Sequence, residues 1–137
     1  MFKPRSPKEK YNNIVALPRL FDKIRADKAG TLGDYKVGAT SELDKQLQAF
    51  LGFDFDLLLS QSDANQSDED LFNMLVQAIP DKKIPDEGEI NTWSETMLNM
   101  KLSEDPERIP YRNIVIEKMN LSPEVTTFDW LEMTDNM

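Results

Sequence analysis

Arg19, Asp22, Lys23 and Arg25 fall within one short segment, "LPRLFDKIRADKAGTLGDY" (residues 17–35), with Tyr35 at its end and Asp44 shortly beyond it. Gathered around one space, Arg19, Lys23 and Arg25 could hold an anionic ligand, and Asp22, Tyr35 or Asp44 could supply an acid–base group. The amides of the "AGTLG" turn could also meet a phosphate. That turn has no Walker lysine pattern and does not follow a strand before opening a helix, so it reads better as the glycine-capped end of a helix. At 100° per residue, Leu17, Leu20, Phe21 and Ile24 share one helix face, and Arg19, Asp22, Lys23 and Ala26 fall on the other. Three readings follow. The charged face is solvated, with Asp22 paired to Arg19 or Arg25 at three-residue spacing; or it is a partly buried network under Tyr35 and Asp44; or it is a binding site.

Other chemistry is scarce. The chain has no Cys and no His, which removes disulfides, thiolate and imidazole catalysis, and ordinary zinc sites. "DANQSDEDLFNM" starts like a calcium loop but has Asp68 where Gly is needed and Met74 where a bidentate Glu is needed. The carboxylates of "FDFD" are explained by Asp54 capping a helix. Met74, Met97, Met100 and Met119 are spaced as core filler. No cofactor is implied. In the tail, "FDWLEM" sets Phe128, Trp130 and Leu131 among acids, a composition that can dock into a partner's groove or tuck against its own core.

The elements that must position these residues read as helices. Pro18 suits a first turn and Gly30 a C-cap. Thr40 or Ser41 caps a second helix carrying Leu43, Leu47, Phe50 and Leu51 up to Gly52. "FDFDLLLSQ" is read as a short helix in preference to a strand. Ser67 and Asp70 form a weak capping box before Leu71, Phe72, Leu75, Val76 and Ile79, closed by Pro80. Ile90, Trp93, Met97 and Met100 make another stripe, and a further helix is expected around Pro110 to Met119. Residues 1–16 read as an extended arm packed through Tyr11, Ile14 and Val15, and 121–137 as an irregular tail with a Thr-capped turn at 128–133. No β-hairpin signal or repeat stands out. The expectation is an all-α bundle of five to six short helices, with 1–137 one domain and 17–120 its helical core.

The chain has 137 residues, enough for one autonomous core, with 39% hydrophobic and 30% charged residues. No apolar run is long enough to span a bilayer and no hydrophobic region follows the basic N-terminus, so a cytoplasmic protein without membrane contact is expected. The net charge of −9 is uneven: residues 1–36 hold nine bases and four acids, the remainder seven bases and twenty-one acids. A basic third on an acidic body is expected first to neutralise itself, and the acidic remainder argues against nucleic acid as a partner.

Ser6-Pro7, Leu17-Pro18-Arg19, Asp22-Lys23, Arg25-Ala26, Ala29-Gly30, Leu32-Gly33, Tyr35, Leu43-Asp44, Phe50-Leu51-Gly52, Ser67-Asp68-Glu69 and Trp93 occur in that order. This pattern resembles that of a family of small soluble bacterial proteins classed as a domain of unknown function. Ser94 follows Trp93 where that pattern has Asn. The resemblance implies a compact, mostly helical bacterial domain and brings no activity. It places the charged cluster beside glycines and apolar anchors, which puts a buried network or a site on a level with a merely solvated face. The function expected is therefore a non-enzymatic protein-binding or adaptor module acting through the 17–44 region or the tail. The alternative is an anionic-ligand protein or enzyme using the Arg19, Asp22, Lys23 and Arg25 cluster.

Overall fold

A computed structural model describes residues 2–104 and 116–136. The chain is mainly helical but not all-α. A two-stranded antiparallel hairpin, β1 (Lys10–Tyr11) and β2 (Ile14–Val15), pairs Lys10 with Val15 and Tyr11 with Ile14. Its turn is Asn12-Asn13, at φ 49° and 66°, the left-handed pair that a two-residue hairpin demands and that Asn tolerates best after Gly. The arm expected to be merely extended thus contains a hairpin, and the adjacent asparagines are its signal.

Helix α1 (Leu17–Ala29) carries Pro18 in its first turn and ends at Gly30, φ 75°. Helix α2 (Glu42–Leu51) is capped by Ser41, and α3 (Phe55–Gln61) by Asp54, so the helical reading of "FDFDLLLSQ" holds. Helix α4 (Asp68–Gln77) opens with the reciprocal Ser67–Asp70 capping box. Helix α5 (Glu87–Asn99) is capped by Asp86, whose carboxylate accepts the Glu89 amide at 2.8 Å.

The tail is a correction. In place of an irregular end with one turn, Thr126 caps a full helix, α6 (Thr127–Asp135). It is moored by backbone bonds from Leu102 to Val125 and from Thr127 to Met100. The helix expected around Pro110 to Met119 lies largely outside the described residues.

One buried apolar cluster runs from Ile14 and Val15 of the hairpin through all six of these helices to Phe128 of α6. Helix α5 packs on β2, and Ser94 fastens the two: its hydroxyl accepts the Val15 amide and donates to the Asn13 carbonyl at 2.7 Å. Met97 is in the core, and Met74 and Met100 pack partly buried against it. No helix among the described residues is long and apolar enough to cross a membrane.

Candidate functional site

The first half of α1 has no solvated face. Arg19 and Lys23, on the side expected to meet water, are 5% and 3% exposed, covered by elements that the helix's own periodicity cannot reveal. The six candidate residues Arg19, Asp22, Lys23, Arg25, Tyr35 and Asp44 separate into three groups.

Lys23 reaches off α1 to the 36–44 segment. Its Nζ donates to the Lys36 carbonyl at 3.0 Å, to Ser41 Oγ at 3.3 Å and to Asp44 Oδ1 at 2.8 Å. An ammonium has three protons, and all three are engaged. Asp44 Oδ2 accepts the Gly38 amide at 3.0 Å, and Gly38 is buried at φ 82°, where a side-chain-bearing residue would be strained. Burial pushes the Lys23 ammonium down and the Asp44 carboxyl up, and the contact between them opposes both. The bonding is that of a closed, charged pair.

Arg19 meets a residue far along the chain. Its guanidinium forks onto Asp135 of α6, with Nη1 to Oδ2 at 2.7 Å and Nη2 to Oδ1 at 3.1 Å, and Nη1 also reaches the Arg5 carbonyl. The Tyr35 ring lies under the guanidinium, 5.7 Å from its centroid, and the Tyr35 hydroxyl donates to Asp135 Oδ1 at 3.0 Å. Burial, then the Asp135 carboxylate, hold that hydroxyl above its usual range. A cavity of about 390 Å³ opens beside this group, with Arg19, Lys23, Tyr35, Ser41, Trp130 and Asp135 in its wall.

Asp22 pairs with Arg25 at 2.8 Å, one of its two expected partners, and with Arg5 in place of Arg19. Arg5 spans Asp22 and Asp68, and Arg25 closes the square at 3.0 Å from Asp68. The Arg5 guanidinium holds the Asp68 carboxyl below its ordinary range, with Arg25 adding to the effect. Asp68 also begins α4, where a negative charge suits the helix dipole.

Phe128 of the tail is fully buried and Trp130 and Leu131 are half-buried beside it. Lys8 holds their helix from outside, at 2.6 Å from Asp129 and 2.8 Å from Glu132. Ser6 also donates to Glu132, and Lys3 to Asn136. Arg5, Asp68 and Asp135 were not among the expected site residues. Their one signal in the sequence is the basic N-terminal third facing an acidic body.

A different surface combines apolar and charged groups. Phe50 of α2 stacks on Trp93 of α5, ring centroids 4.7 Å apart and planes 4° from parallel. Both rings are half-buried, at a hollow of about 690 Å³ that Asp86, Glu89, Thr92 and Thr96 complete. Among the described residues, no group of three or more acidic side chains could hold a metal ion.

A family model, described as a domain of unknown function (DUF5069), matches residues 2–137. No curated protein matches the chain.

Proposed function

The chain belongs to the DUF5069 family, whose description carries no activity, and from that premise we propose that it is a non-enzymatic, single-domain module that docks a protein partner between α2 and α5. The observation that carries this reading is the Phe50–Trp93 stack. It remains half-exposed at an open hollow, while the candidate charges of residues 17–44 are bonded within the chain. Tryptophan is among the residues enriched at the energetic hot spots of protein interfaces. Arg19, Lys23 and Arg25 serve, on this reading, to clamp α1 to the arm, to α2, to α4 and to α6. Support for one domain comes from the continuous core between Ile14 and Phe128.

A photo-crosslinking side chain placed at Thr96, in cells that express the full chain, tests the proposal. The expected result is a discrete adduct with one protein that disappears in Trp93→Ala and persists in Lys8→Met. An adduct indifferent to Trp93→Ala would overturn it.

A second reading, a small carboxylate or phosphate ligand, is favoured by the cavity at Arg19, where Asp135 lies on Arg19 and Tyr35 as such a ligand would. Thermal unfolding of Asp135→Asn with phosphorylated metabolites would reveal it as a rise in midpoint that Arg19→Ala abolishes.

A further inference from the structure

We infer that the α2–α5 hollow takes a basic, arginine-bearing peptide segment of the partner, an inference that rests on the docking reading above. The wall of the hollow is aromatic and its rim is acidic. Asp86 and Glu89 make no ion pair among the described residues, unlike Asp22, Asp44, Asp68, Asp129, Glu132 and Asp135, which are matched to bases of the chain. The same two carboxylates border a second hollow of about 600 Å³ that includes Ile84, Pro85 and Asp81, with Lys83 its lone base. The two hollows therefore adjoin, and together they offer apolar floor and negative rim to an extended segment. An arginine suits both: its planar guanidinium packs on an indole and forks to a carboxylate.

First-turn acids are also what a helix N-terminus favours, so Asp86 and Glu89 alone would say little. Gly88 is the independent observation. It is the second residue of α5, with no left-handed backbone to require glycine, and a Cβ there would meet only Asp86 Oδ1 at 3.4 Å. Glycine is a poorer helix former than alanine, and the one atom its Cβ would meet is the Asp86 oxygen that caps the helix. What its missing side chain leaves open is the hollow it borders.

The test uses the full chain and three short extended peptides in which leucine alternates with arginine, glutamine or glutamate, with binding read by calorimetry. The arginine peptide should bind saturably and the glutamate peptide should not. Trp93→Ala should weaken binding at least about tenfold. Gly88→Gln, which puts a side chain at the hollow while keeping both rings, should do the same even if Trp93→Ala unfolds. Asp86→Asn keeps the cap, and combined with Glu89→Gln it should weaken binding about two- to fivefold per charge and flatten its salt dependence. If the glutamine peptide binds as well as the arginine one and is lost in Gly88→Gln, the docking face stands and its preference for bases is overturned. Arginine-peptide binding indifferent to Gly88→Gln and Trp93→Ala overturns the inference by placing the contact elsewhere on the acidic surface. If no peptide binds, the inference falls, and the Thr96 crosslink decides separately whether the docking reading falls with it.

Discussion

Lys23 and Asp44 test what a buried charge is worth here. Their side chains are 4% and 1% exposed, so Lys23→Met should leave an uncompensated carboxylate and cost about 3–5 kcal/mol in chemical denaturation at neutral pH. Replacing both partners by apolar residues should cost much less than that single change. The deficit of Lys23→Met should also shrink on acidification, since a protonated Asp44 needs no cation. Arg19 and Asp135 should behave as a coupled pair: the double-alanine variant is expected to lose clearly less than the sum of the two single variants. Arg19→Ala with Asp22→Ala should come closer to additive, because Asp22 answers to Arg5 and Arg25. The charged residues of α1 were legible as a group in the sequence, but their partners were not. Helical spacing reports neighbours three and four positions away, whereas Arg19 is matched 116 residues along the chain.

At the scale of elements, legibility followed local chemistry. Gly30, Ser41, Gly52, Asp54 and the Ser67–Asp70 box each act on their own or neighbouring amides and carbonyls, so sequence alone located those helix ends. The hairpin was missed because two-residue strands offer too little alternation to show a period, leaving Asn12-Asn13 as the only cue. That turn gives a direct prediction. Asn13, at φ 66°, should accept glycine with equal or slightly greater stability, whereas Asn13→Ala should cost about 1 kcal/mol in the unfolding free energy. Equal effects of the two substitutions would show that the turn's backbone is not what fixes this hairpin. Helix α6 was read as an irregular tail for a different reason. Thr126 is a legible cap, but the helix's place depends on Phe128 entering a core built by residues far earlier in the chain.

Across the whole molecule, the uneven charge closes the fold. Arg5, Lys8, Arg19, Lys23 and Arg25 of the basic third all meet acids beyond residue 36, so the first and last segments are held to one another. The pH dependence follows from that arrangement. Arg5 holds Asp68 below its ordinary 3.8, and Lys8 holds Asp129 below 3.8 and Glu132 below 4.5. Each carboxylate therefore binds its proton less tightly in the folded chain than in the unfolded one. The stability they supply is full above those ordinary values and is lost as pH falls through the lower folded ones. On the alkaline side Arg5 and Lys8 are raised, Arg5 mainly by Asp68 and Lys8 mainly by Asp129, so their contribution is full below the ordinary 10.5 of Lys8 and is lost only above it. With no histidine in the chain, what these surface pairs contribute to the unfolding midpoint should be nearly level between about pH 6 and 9 and fall below about pH 4. Lys8→Met should give a shallower acid decline than the wild type, by a small amount because its pairs are more than a third exposed. Added salt should narrow that difference and leave the Lys23–Asp44 effects unchanged, since screening reaches the surface pairs and not the buried one. An acid decline identical in wild type and Lys8→Met would mean that Lys8 does not hold the tail helix, and that α6 is kept in place by its other contacts, Phe128 in the core and Arg19 on Asp135 among them.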